Sequence, residues 1–143
     1  MTITCYLDTN IFLNVIYEEP HHAGGSRILL EKIERGELGG ITSSVTEIEI
    51  ALDMEKTGNR ENIDRALRLV ERMNNLTICP LDSWTARMAA KFVFDSHLTV
   101  HDAYHGATAM VNGAGVFVTR DRTLGDRLKK MIKVLLPEAL QAS

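Results

Sequence analysis

The sequence predicts an α/β fold, a three-layer α/β/α sandwich with a mostly parallel central sheet of about five strands, a typical sheet size. Short apolar segments alternate along the chain with longer segments whose apolar residues recur at helical spacing. The short segments are largely apolar throughout, which is typical of parallel strands covered on both faces. No repeat, linker or low-complexity segment interrupts this alternation, so we expect a single domain over residues 1–143.

The five predicted strands are short and bounded by polar residues or prolines. The first is partly β-branched and stops at Asp8, and the third is closed by Pro80. The fourth leads into Thr119-Arg120-Asp121. In chain order the strands are predicted over residues 3–7, at Ile41 as a very short strand, and over 76–79, 116–118 and 132–135.

Seven helices are predicted between and after these strands. Pro20 ends the first, Ser44 and Glu47 form a capping-box pattern at the start of the third, and Asp82 caps the fifth. The second and fourth carry apolar residues at helical spacing, and the sixth is rich in alanine. The helices are predicted over residues 9–17, 26–35, 44–56, 60–73, 82–94, 101–112 and 124–130.

Composition limits the classes of function. Hydrophobic residues make up 45% and charged residues 24%, which is the globular range. The net charge of −3 argues against a surface that binds nucleic acid everywhere, although a local basic groove remains compatible with it. Cys5 and Cys79 lie in strand-like segments and are interpreted as reduced core thiols. No secretory signal or membrane span is visible, so we expect a cytoplasmic protein without membrane contact.

Four acidic residues lie where an open parallel sheet gathers its functional groups. Asp8 ends the first strand, Asp121 follows the fourth, and Glu49 and Asp102 lie early in the third and sixth helices. Carboxylates held close together repel one another, and a divalent cation removes that cost. Mg²⁺ and Mn²⁺ prefer such oxygen ligands, and the bound ion activates water for attack on a phosphate. The pattern therefore predicts a metal site.

Each acid also has a purely structural interpretation. Asp8 and Asp121 are suited to cap the helices that follow them, and Asp102 lies three residues after a possible cap, Thr99. Glu47 is accounted for by the capping box, which leaves Glu49 without a local structural role. The sequence around each acid does not distinguish a helix cap from a site residue. The argument for a common site is that all four acids lie at strand ends or helix starts.

Four segments resemble, in order and spacing, the motifs of PIN-domain ribonucleases. The resemblance implies that Asp8, Glu49, Asp102 and Asp121 are catalytic metal ligands for Mg²⁺ or Mn²⁺, and that the enzyme cleaves RNA internally with an activated water. Many relatives carry a further acid after the fourth motif, and here Asp126 is the candidate to replace it. Asn10 and Thr119 would support the site by hydrogen bonds. The segments are Leu7-Asp8-Thr9-Asn10, Thr42–Glu49, Asp102–Ala109 and Val118-Thr119-Arg120-Asp121.

The size of the chain is similar to that of VapC-type toxins, which implies a homodimer and a small antitoxin that blocks the site. Two alternatives stay open: a housekeeping PIN nuclease of RNA maturation, and a non-catalytic PIN-like module that binds RNA or protein. A phospho-acceptor receiver domain is disfavoured, because the first strand ends in one acid and the Thr119-Arg120 segment offers no lysine.

Basic and histidine residues near the acids are further candidates. Arg120 is the best single candidate for an RNA contact, because it adjoins Asp121. His101 and His105 have the i, i+4 spacing of a zinc-binding helix, but no plausible third ligand follows. His105 shares a helix face with Asp102 and so is placed at the edge of the acidic site.

Overall fold

A computed structural model of the protein describes residues 2–141, and it contains every predicted strand and helix. The parallel strands are β1 Thr4–Leu7, β2 Gly39–Ser43, β3 Leu76–Cys79, β4 Val116–Val118 and β5 Lys133–Leu135. The helices are α1 Thr9–Ile16, α2 Ala23–Glu34, α3 Ser44–Lys56, α4 Ile63–Glu71, α5 Ser83–Ser96, α6 Val100–Val111 and α7 Arg122–Leu128. Short 3₁₀ helices lie at Arg60–Asn62 and Pro137–Leu140.

The sheet has the strand order β3-β2-β1-β4-β5, and all four strand pairs are parallel. The central strand β1 pairs on one side with β2, where Tyr6 is opposite Ile41, and on the other with β4, where Leu7 is opposite Val118. The chain moves outward from β1 to β3 and then crosses back to β4. In such a topology the helices diverge at the carboxyl ends of β1 and β4 and leave a crevice between them.

Helices cover both faces of the sheet, which confirms the predicted three-layer sandwich. Side chains alternate along β1: Cys5 and Leu7 point into one core and Tyr6 into the other. The first core packs against α1 to α4, and the second packs against α5 to α7. No helix in residues 2–141 is long and apolar enough to cross a membrane.

Three local details differ from the sequence prediction. Strand β2 is longer than the predicted strand at Ile41, because Gly39 and Gly40 pair with β1 although glycine disfavours strands. The cap of α3 is Ser43, whose hydroxyl accepts from the amide of Val45 at 3.0 Å, so the predicted capping box is wrong by one residue. The 3₁₀ helix near the carboxyl end was not predicted.

Gly40 lies where α2 approaches the sheet. A Cβ atom there would lie 3.1 Å from Ile33 and 3.0 Å from Leu76 side-chain atoms, whereas one at Gly24 in α2 would meet nothing within 4 Å. We expect Gly40→Ala to lower the free energy of unfolding by about 1–3 kcal/mol, because the core is overpacked. Gly24→Ala, the matched control, should leave stability unchanged or raise it by up to about 1 kcal/mol. Urea denaturation checks this, and equal effects of the two substitutions would contradict it.

Candidate active site

Asp8 follows β1 and lies at the centre of the crevice. Its carboxylate caps α1 by accepting from the amide of Thr9 at 2.8 Å. The other oxygen accepts from the hydroxyl of Thr119 at 2.7 Å and from the side chain of Asn10 at 3.3 Å. A carboxylate has about four acceptor positions, so capping α1 and binding a cation are compatible roles.

Glu49 reaches the same crevice from α3. One of its oxygens accepts from the Thr9 hydroxyl at 2.7 Å and also bonds the Nε2 atom of His105. The other lies 3.8 Å from Nδ1 of His101. Burial raises the pKa of Glu49, but the hydrogen bond and charge of His105, with smaller contributions from Thr9 and His101, outweigh burial and lower it. Glu49 is therefore ionised at neutral pH.

Asp102 lies in the first turn of α6, where its amide donates to the capping hydroxyl of Thr99 at 3.2 Å. The pKa of its carboxyl is raised by burial and also by the negative charges of Asp8 and Asp121. Asp102 therefore lies at a helix start, as predicted, and its role as a metal ligand stays a prediction.

Asp121 closes the crevice on the side of β4. It caps α7 by accepting from the amide of Leu124 at 3.1 Å. Its own amide donates to the Thr119 hydroxyl at 3.0 Å. Thr119 therefore bonds both Asp121 and Asp8, and Asn10 lies 3.4 Å from the same hydroxyl. This places Asn10 and Thr119 between two of the acids.

The acids suit a hard divalent cation in their donor chemistry. The repulsion between Asp102 and the neighbouring Asp8 and Asp121 is the condition that such a cation relieves. Within residues 2–141, no three His, Cys, Asp or Glu side chains are close enough to ligate one ion as they stand.

His105 is a site residue whose importance the sequence understated. It is only 1% exposed, its Nδ1 atom lies 2.5 Å from the Tyr6 hydroxyl, and its Nε2 atom bonds Glu49 and lies 3.7 Å from Asp8. Burial lowers the pKa of His105, but the hydrogen bond that it donates to Glu49 and the charges of the surrounding carboxylates outweigh burial and raise it. The sequence did place His105 on the same helix face as Asp102, but no sequence pattern indicated a role for Tyr6.

Arg120 makes a set of internal hydrogen bonds. Its guanidinium donates to Asn14 at 2.7 Å, to Ser26 at 3.1 Å, to the His22 carbonyl at 3.2 Å and to both oxygens of Glu138. The side chain is 11% exposed, so these bonds tie the segment after β4 to α1, α2 and the segment around Glu138. The RNA contact of Arg120 stays a prediction.

Asp126 lies on the exposed surface of α7, where its carboxylate is 3.5 Å from the ammonium of Lys129. Its participation in the site stays a prediction.

The bonds of Arg120 predict a stability effect. Arg120→Met removes the guanidinium that donates to Ser26, to Glu138 and to the His22 carbonyl, and one of the two donors to Asn14, so we expect the free energy of unfolding to fall by about 1–3 kcal/mol. Arg122→Met changes an exposed neighbour and should stay within about 0.5 kcal/mol of the original protein. Urea denaturation of both variants measures the difference. An Arg120→Met protein of unchanged stability would contradict the internal role.

The raised pKa of Asp102 predicts a gain in stability when its charge is removed. A carboxyl whose pKa is higher in the folded state stabilises the fold only when protonated, and that contribution is lost as pH rises from the unfolded pKa through the folded one. At neutral pH the charge is therefore destabilising. We expect Asp102→Asn to raise the Tm of the metal-free protein by about 2–5 °C at pH 7.

The gain should shrink as the pH is lowered below the ordinary range of an aspartate, because both proteins are then neutral at this position. Calorimetric scans in EDTA at several pH values test both statements. A lower Tm for the variant at pH 7 would contradict the repulsion.

Fold and site together define an α/β protein with a carboxylate-lined crevice at the switch point of a parallel sheet. The sequence model of the PIN domain matches residues 5–129, so the chain belongs to the PIN-domain family. The family assignment agrees with the resemblance of the four motifs. No curated protein sequence matches the chain.

Solved structures share the fold over almost the whole chain. VapBC2 from Rickettsia felis, bound to a DNA fragment from its promoter, has a TM-score of 0.69 at 16% identity and covers 94% of this chain and 98% of its own. FitAcB from Neisseria gonorrhoeae has a TM-score of 0.69 at 20% identity, with 95% and 99% covered. VapC20 from Mycobacterium tuberculosis, a toxin that cleaves the sarcin–ricin loop, has a TM-score of 0.70 at 11% identity, with 90% and 95% covered.

Proposed function

We propose that the protein is a metal-dependent endoribonuclease and the toxin of a toxin–antitoxin pair. One observation carries the proposal: shared hydrogen bonds link the acids, since Thr9 bonds Asp8 and Glu49 and Thr119 bonds Asp8 and the amide of Asp121. Asp102 lies in the first turn of the helix that carries His105, and His105 bonds Glu49. Clustered carboxylates at the switch point of a parallel sheet suit hydrolysis of a phosphodiester assisted by a divalent cation.

These four carboxylates would hold the ion, Mg²⁺ or Mn²⁺. When bound, the ion supplies an activated water and stabilises negative charge on the phosphate. The chain itself keeps the ligands in place. Thr119 holds Asp8 by its hydroxyl, and Thr9 holds Glu49. Neutral hydroxyl donors fix the carboxylates without cancelling the negative charge that attracts the cation.

The toxin role is supported by the structural neighbours. Several are complexes of a toxin with its antitoxin, and one neighbour is a toxin that cleaves a structured RNA loop. We therefore propose structured RNA as the substrate and a small antitoxin protein as the partner. A homodimer is expected from the family resemblance.

A groove on the face opposite α5 to α7 offers a place for an antitoxin. It has a volume of about 840 Å³, and α1, α2, α3 and α4 form its walls. Its floor is apolar, and Leu69 at its side is 62% exposed. Charged residues of both signs surround this floor, which suits an amphipathic segment of a partner. The floor includes Phe12, Ile16, Leu30, Val70 and Met73, and the charged residues include Arg27, Glu31, Arg65 and Arg72.

The activity is tested with purified protein, a pool of structured RNAs, and Mg²⁺, Mn²⁺ or EDTA. We expect cleavage that requires metal and that falls by at least about a hundredfold in Glu49→Gln, because a ligand carboxylate is lost while its size is kept. Glu47→Gln is the matched control. Glu47 lies on the same helix, and its pKa is raised by burial and by the neighbouring carboxyl of Glu71.

Wild-type activity in Glu47→Gln with loss in Glu49→Gln supports the site. Cleavage unchanged by EDTA or by Glu49→Gln would contradict it, and no cleavage of any RNA would favour the binding-module alternative. Expression in bacteria separates the biological roles. A toxin arrests growth through its active site, whereas an RNA-maturation enzyme leaves growth unchanged.

A further inference from the structure

A buried chain of hydrogen bonds runs from the sheet to one of the proposed ligands. It starts at the Tyr6 hydroxyl in β1, passes through the imidazole of His105 in α6 and ends on an oxygen of Glu49 in α3. Tyr6 and His105 are 0% and 1% exposed. Their rings also meet edge to face at a centroid distance of 5.7 Å, so the ring of His105 is held at its face and at both nitrogens.

The chemistry of the partners fixes the direction of these bonds. Glu49 is a carboxylate, which can only accept hydrogen bonds, so Nε2 of His105 donates to it. The Tyr6 hydroxyl lies 2.5 Å from Nδ1 and has a proton that it can donate to that nitrogen. In a neutral imidazole only one nitrogen carries a proton, so the hydrogen bond made by one nitrogen fixes whether the other donates or accepts.

Packing alone does not explain an imidazole at this position. Ala103 and Ala107 of the same helix pack into this core without polar side-chain atoms, and the buried hydroxyl of Thr108 donates to a carbonyl of its own helix. A buried imidazole costs free energy unless both nitrogens are bonded, so an apolar side chain would serve packing better. The hydrogen bonds of Tyr6 and His105 lead to the carboxylate of Glu49 and not to a backbone group, which indicates that the pair acts on that carboxylate.

We propose that His105 is a positioning residue: supported by Tyr6, it holds one oxygen of Glu49 so that the carboxylate is oriented to receive the divalent cation. This inference rests on the proposed function and deepens it, because it adds a hydrogen-bonding layer behind the metal ligands. The role is that of an outer partner of a metal site, which orients a ligand without touching the metal.

The test measures Mn²⁺ affinity of the purified full chain by electron paramagnetic resonance, a readout independent of RNA cleavage. His105→Gln keeps a side-chain N–H within reach of Glu49 and should retain most of the affinity. His105→Asn is polar but too short to reach Glu49, so it should bind Mn²⁺ about 10–100-fold more weakly. Tyr6→Phe removes one hydroxyl and should cause a smaller loss.

Thr108→Val is the matched control on α6. Its hydroxyl donates to the Tyr104 carbonyl of the same helix at 2.7 Å, and its loss should leave Mn²⁺ affinity unchanged. Thermal unfolding of each variant separates loss of fold from loss of binding. If His105→Asn does not fold, Tyr6→Phe decides the question.

Equal Mn²⁺ affinities of His105→Gln and His105→Asn, or an unchanged affinity in Tyr6→Phe, would overturn the positioning role of His105. The proposed function would still stand in that case, because the wild-type protein binds Mn²⁺. If the wild-type protein binds no Mn²⁺, the proposed metal site fails and this inference fails with it.

Discussion

Asp8, Asp102 and Asp121 carry like charges within electrostatic range of one another, and the surrounding structure has to hold them there against their repulsion. The sheet topology does most of this, because Asp8 follows the central strand β1 and Asp121 lies shortly after the end of the neighbouring strand β4. Both aspartates also cap helices, so moving either side chain away would cost a helix cap. Burial raises the pKa of Asp102, which caps no helix, and the charges of Asp8 and Asp121 raise it further.

Most of the side chains that hold the acids in place are neutral hydrogen-bond donors. Thr119 and Thr9 donate from neutral hydroxyls, and the basic side chain of Arg120 is turned away into its own network with Asn14 and Glu138. His105 is the exception, since it places an imidazole against Glu49. The crevice therefore holds its carboxylates mainly by neutral donors, and we propose that it attracts a divalent cation.

Much of this was visible in the sequence. Apolar segments alternating with helical periodicity predicted the sandwich, and motif spacing located the four acids, because both signals are local. Ser43 replaced Ser44 as a cap because adjacent serines look alike without backbone geometry. The bond between Tyr6 and His105 joins residues 99 positions apart, and that between Arg120 and Glu138 depends on how the carboxyl end folds back. Such contacts are set by tertiary packing, which local pattern does not record.

The central claim is that the four acids form a site for one or more divalent cations. Diffraction from crystals soaked in Mn²⁺, recorded at a wavelength where manganese scatters anomalously, tests it most directly. The account predicts an anomalous peak in the crevice among Asp8, Glu49, Asp102 and Asp121, absent from an Asp8→Asn crystal. A crevice without a peak at saturating Mn²⁺, or a peak elsewhere only, would contradict it.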